Sequence, residues 1–80
     1  MSQKIKQDIS IGKNLKRLRK RWGYTQEQVV AKLQVKGLSV SREMLSQMEN
    51  GKYNIRVSIL LALKDIYKCS TEDFFNDLQG

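Results

Sequence analysis

Apolar residues recur along this chain at steps of three and four, and the runs they form are cut at Gly23, Gly37 and Gly51. That period belongs to amphipathic helices, whereas a half-buried strand needs alternation in steps of two. With 80 residues there is room for one core, and with no proline nothing interrupts helix inside the runs. The expected fold is all-α, a compact bundle of five short helices in one domain over 1-80. Its core spans about 9-78, with 1-8 as a flexible arm.

Ile11, Leu15, Leu18 and Trp22 form the apolar stripe of a first helix between Asp8 and Trp22, and Gly23 supplies its stop. Thr25, with Gln28 three residues on, has the spacing of a capping box, so a second helix starts near Gln26 and turns Val29, Val30 and Leu33 inward. Periodicity fades between Gln34 and Ser39. Ser39 and Ser41 are both candidate N-caps for a third helix that ends at Asn50-Gly51, with Leu45 and Met48 inward and Arg42, Glu43, Ser46 and Gln47 outward. A fourth helix from Val57 to Ile66 carries the broadest apolar side (Val57, Leu60, Leu61, Leu63 and Ile66) and is expected to be the most buried. Ser70 caps a last short helix with Glu72 and Asp73 in its first turn, and Phe74, Phe75 and Leu78 close the core or leave a patch for a second copy.

The net charge of +7 is unevenly placed: residues 1–56 hold 13 basic and 4 acidic groups, and residues 57–80 hold 2 and 4. A basic portion of that size favours a polyanionic partner. The run KNLKRLRKR alone places six cations in nine positions, among them Lys13, Lys16 and Arg17, which as a group favour phosphate contact. No apolar run reaches the roughly 18–20 residues of a membrane span, and MSQKIKQDIS lacks a secretory h-region, so a soluble cytoplasmic protein is expected.

Catalysis has little support in this sequence. There is no histidine, the carboxylates fall on different helices without a recognisable spacing, and Cys69 reads as a small core hydrophobe rather than a nucleophile. Metal, cofactor and small-molecule ligand are not expected, since Cys/His clusters, GxGxxG and Walker patterns are all missing. The chain reads as a binding module and not an enzyme.

What stands out is TQEQVVAKL followed by SREMLSQMENGK: two capped helices, the second presenting Arg42 and Gln47 outward. Arginine can fork onto guanine and glutamine onto adenine, which is the chemistry that reading a major groove demands. From Ile11 to Phe75, through IGKNLKRLRKRWGYTQEQV, SREMLSQMENGK and LKDIYKCSTEDFF, the chain resembles the phage-repressor and Cro-like helix-turn-helix family, also called the XRE family. The resemblance implies a lambda-repressor-like bundle whose second and third helices form the helix-turn-helix. It also implies a transcriptional regulator of repressor type, prokaryotic and of phage or mobile-element origin, that binds a double-stranded DNA operator as a homodimer.

Residue by residue, the resemblance makes Gln26 a phosphate anchor, Arg42, Glu43, Ser46 and Gln47 the recognition-helix positions, and Asn50, Lys52 and Arg56 a loop along the DNA backbone. It pairs Arg19 with Glu49 in a partly buried structural ion pair. The chain departs from the family pattern at Val29-Val30, where Leu-Ala is usual, and at QVKGLSVS, a turn about five residues longer than usual, read as one more turn of helix two and a loop around Gly37. Two other readings remain: an antitoxin or other protein-interaction module on the same bundle, and nonspecific binding of RNA or anionic lipid through helix one.

Overall fold

A computed structural model describes residues 4–5, 11–52 and 54–75, with side chains from Ile11 onward. In chain order the elements are β1 (Lys4–Ile5), α1 (Gly12–Arg21), α2 (Gln26–Val35), α3 (Arg42–Glu49), β2 (Ile55–Arg56), α4 (Val57–Ile66) and a 3-10 turn (Thr71–Phe74). The fold is mostly helical, with four α-helices among the described residues in place of the five expected. The fifth is a single 3-10 turn, opened by the Ser70 N–H donating to Asp73 Oδ2 (2.9 Å). Leu78 and the expected start of helix one at Asp8 lie outside the described residues.

The starts of α2 and α3 are set by side-chain caps, whereas α1 and α4 begin without one. Thr25 closes its capping box on α2: Thr25 Oγ1 accepts from the Gln28 N–H (3.1 Å) and the Thr25 N–H donates to Gln28 Oε1 (2.8 Å). Of the two serines before α3, Ser41 is the cap, its Oγ accepting from the Met44 N–H at 3.0 Å. Helix α2 runs through Val35, past the expected fade at Gln34. It ends where Gly37 takes φ +83°, a left-handed conformation that glycine adopts without a Cβ penalty.

The core collects Ile11, Leu15 and Leu18 from α1, Val29 and Leu33 from α2, Leu45 and Met48 from α3, and Ile59, Leu60, Leu63 and Ile66 from α4, with Tyr67 and Phe74. Val40 and Ile55, from the two longer connections, also reach it. Helix α3 packs on α1 and α2, while α4 packs on α2. The α1–α3 contact is close at Gly12: a Cβ there would lie 2.7 Å from the Glu49 carbonyl carbon and 2.8 Å from the Met48 oxygen. Asn14, hidden by sequence within a run of cations, is buried and donates through Nδ2 to the Phe74 carbonyl (2.8 Å), tying α1 to the 3-10 turn.

Several expectations need correction. Trp22 does not continue the α1 stripe into the core: α1 ends at Arg21, and the ring lies 42% exposed with its Nε1 donating to the Tyr67 carbonyl (2.6 Å). Helix α4 is not the most buried, because Val57 and Leu61 point outward and α1 has more buried positions. Phe74 is fully buried but Phe75 is not. The strand pair was also unexpected. Lys4 sits opposite Arg56 and Ile5 opposite Ile55, antiparallel, so part of the expected arm is paired with the connection ahead of α4. Two residues are too short to leave an alternating pattern in the sequence.

Candidate nucleic-acid interface

Helix α3 divides cleanly. Leu45 and Met48 are fully buried, Arg42, Glu43 and Gln47 are exposed, and Ser46 is half-buried. The exposed residues open onto two adjoining grooves. One is lined by Gln26, Arg42, Glu43, Ser46 and Gln47. The other runs between the end of α1, the start of α2 and α3, where Lys16, Lys20 and Asn50 join Gln26, Arg42 and Ser46. The shared residues make one continuous polar face, with the N-terminus of α2 and the positive end of its dipole at the centre.

The floor of this face is the Arg19–Glu49 pair. Arg19 Nε donates to Glu49 Oε2 (2.7 Å) and its second nitrogen to Oε1 (3.0 Å), a fork from α1 to the end of α3. A further Arg19 nitrogen donates to the Tyr24 carbonyl (2.9 Å), fixing the connection between α1 and α2. Both side chains are nearly buried, and the hydrogen bond to Glu49 holds the Arg19 guanidinium even more firmly protonated than usual. Neutralising Glu49 removes a buried charge that would otherwise repel an anion in the groove. Gln26 Nε2 also donates to Glu49 Oε1 (3.1 Å), so three elements converge on one carboxylate. Tyr67 packs beside the pair; burial pushes its phenol well above the usual range, and its hydroxyl makes no hydrogen bond among the described residues.

The sequence-derived residues separate into two groups. Gln26, Arg42, Glu43, Ser46, Gln47, Asn50 and Lys16 share the face. Lys13, Arg17, Lys52 and Arg56 are exposed but line neither groove; Arg17 donates to Asn14 Oδ1 (2.6 Å), and the Lys52 N–H donates to the Gln47 carbonyl (2.9 Å). Lys20, placed by sequence only among the six helix-one cations expected as a group at phosphates, lines the face, and so does Glu27, which was given no place there. Lys20 was legible, since it lies four residues after Lys16 and so on the same helix face. Glu27 comes within 4.0 Å of Arg42, with both side chains largely exposed. Cys69 is half-buried, and burial pushes its thiol up.

Among the described residues no helix is long and apolar enough to cross a membrane, and no group of three or more His, Cys, Asp or Glu could hold a metal ion. A family model described as a helix-turn-helix domain matches residues 10–74. The chain belongs to that family. Comparison with curated proteins returns no match, and neither does comparison with solved structures.

Proposed function

We propose that this chain is a sequence-specific transcriptional regulator of the phage-repressor and Cro-like (XRE) kind. It binds duplex DNA with α3 in the major groove and acts as a repressor by occupying an operator. The observation that carries this reading is the single face on which α3 presents Arg42, Glu43, Ser46 and Gln47 beside Gln26, Lys16 and Lys20. Arg42 and Gln47 read base edges, Arg42 by forking onto guanine and Gln47 onto adenine. Ser46 takes either base type, and Glu43 accepts from cytosine N4 or orients Arg42. Gln26 exchanges its bond to Glu49 for a phosphate at the α2 N-terminus, with Lys16, Lys20 and Asn50 on flanking phosphates. Lys13, Arg17, Lys52 and Arg56 extend the cationic margin along the backbone.

The working form is a homodimer on two half-sites one helical turn apart, roughly 34 Å. Its compartment is the cytoplasm, with the nucleoid, and no catalysis is involved. Binding-site selection from random duplexes tests the reading, followed by anisotropy on the selected sequence with the Arg42→Ala, Gln47→Ala double variant. Specific affinity should fall to the nonspecific level; unchanged specific affinity would show that α3 does not read the bases.

A further inference from the structure

Glu27, in the first turn of α2, brings an exposed carboxylate into the groove that Lys16, Lys20 and Arg42 also line. Such a group is repelled by a phosphate backbone, so on a face that meets DNA it weakens binding unless it does something else. Folding gains little from its pairing with Arg42, because both side chains stay mostly exposed. An acid in that turn also suits the α2 dipole, a role that concerns the helix alone.

The position of Arg42 gives Glu27 a second role. Glu27 Oε1 lies 4.0 Å from Arg42 Nε. Arg42 is common to both grooves, whereas Glu27 lines only the one toward α1, and Glu43 and Gln47 line only the other. Arg42 therefore stands between Glu27 and the side of α3 that carries Gln47. A guanidinium has five N–H donors in a rigid fork. With Nε turned toward Glu27, the two Nη groups remain for a fork onto guanine O6 and N7.

Charge then decides which acceptor Arg42 prefers. A lone arginine is drawn to every phosphate, since that attraction needs only opposite charge. Beside Glu27 the two charges nearly cancel, and a phosphate that approaches Arg42 meets the carboxylate as well. Guanine offers two neutral acceptors that match the fork and that the carboxylate does not repel. Specificity is a difference of affinities, and a like charge set against the wrong partner widens it.

We propose that Glu27 is a specificity-determining residue of the α3 face: it positions Arg42 through Nε and repels phosphate from it, so that Arg42 reads a base in preference to gripping the backbone. The inference rests on the reading of the chain as a DNA-binding regulator with Arg42 at a base edge, and it adds a residue that acts through Arg42. Unit charges 4 Å apart in water shift an equilibrium by about fivefold. The effect is thus a bias rather than a switch, and it weakens as salt rises.

Competition anisotropy tests it on the duplex recovered by binding-site selection and on a scrambled duplex, with Glu27→Gln, Arg42→Ala and the double variant. Glu27→Gln should raise affinity for the scrambled duplex more than for the selected one, so that their ratio falls by about fivefold at low salt. In the Arg42→Ala background the same substitution should shift both affinities alike. Thermal melting reads the dipole role separately, since a change in α2 stability moves the melting temperature but not the ratio. A ratio that Glu27→Gln leaves unchanged, or that falls as far without Arg42 as with it, would overturn the proposal. The reading beneath it fails in a different way: selection that recovers no preferred sequence with the wild type sinks base reading and this proposal with it, whereas a preference that survives Glu27→Gln intact sinks the role of Glu27 alone.

Discussion

Arg19 and Glu49 meet in a fork at 2.7 and 3.0 Å with almost no exposure, while Arg42 and Glu27, a short way across the same face, stand 4.0 Å apart in solvent. The residue types are identical and their physical roles opposite. Buried charges have lost their hydration and depend on each other, so the first pair holds α1 to α3. Exposed charges keep their water and gain little from pairing, so Arg42 is free to exchange Glu27 for another acceptor at small cost. In this domain, burial separates charge that maintains the fold from charge available to a partner.

The sharpest test of that contrast is Glu49→Gln, which leaves the Arg19 guanidinium buried without its counter-charge. A loss of about 3–5 kcal/mol is expected in urea denaturation. That is a large share of the roughly 4–12 kcal/mol a domain of this length commands. Replacing both partners, Arg19→Met with Glu49→Leu, should recover much of the loss, because paired apolar groups need no hydration. If Glu49→Gln melts with the wild type, the buried pair has no more structural weight than the exposed one.

Gly12→Ala comes next and probes the seam beneath the pair. Alanine is the better helix former by up to about 1 kcal/mol, so propensity predicts a gain. The added Cβ would lie 2.7–2.8 Å from Met48 and Glu49 backbone atoms, which can retreat only if α3 moves. A net loss on the order of 1–3 kcal/mol is therefore expected by thermal denaturation. Unchanged melting would mean that α1 and α3 slide apart at no cost.

On the exposed side, Arg42→Ala should leave stability within about 0.5 kcal/mol of wild type. It should also relax discrimination at one base position by about 1–3 kcal/mol in competition anisotropy. A stability loss as large as that of Glu49→Gln would erase the contrast between the two pairs.

The smallest effect is in pH. The Ser70 backbone N–H holds the Asp73 carboxyl below its ordinary value, and the Lys36 hydrogen bond does the same for Asp65. Folded-state values below the unfolded value of about 3.9 mean that their contribution is complete above that pH and is lost as pH falls through the lower folded values. Melting temperatures of Asp73→Asn and Lys36→Gln should lie slightly below wild type at neutral pH and converge with it in acid. A gap that persists in acid would assign the effect to something other than these carboxylates.

Local chemistry was legible in the sequence wherever it acts over three or four residues. The Thr25–Gln28 box, the Ser41 cap as one of two candidates, the stop at Gly23 and the inward Leu45 and Met48 all follow from spacing, because a helix repeats faster than a fold turns. Trp22 shows where that reasoning ends. It fits the α1 stripe by number, but α1 stops one residue earlier and the indole instead reaches the end of α4. The run ILLALKDI offers apolar residues on more than one side, so periodicity could not tell that Leu60 and Leu63 go in while Leu61 stays out. Glu27 on the groove and the β1–β2 pair depend on segments distant in sequence.

The amino-acid sequence by itself determined the helices, their caps, the outward set on α3 and the family pattern. These are properties of neighbours along the chain. Only the tertiary structure decided that Gly12 must be glycine because α3 crosses it, that Asn14 is buried against Phe74, and that Leu61 is left more than half exposed. Desolvation and close approach arise from whatever packs across from a residue, and a linear pattern does not carry that information.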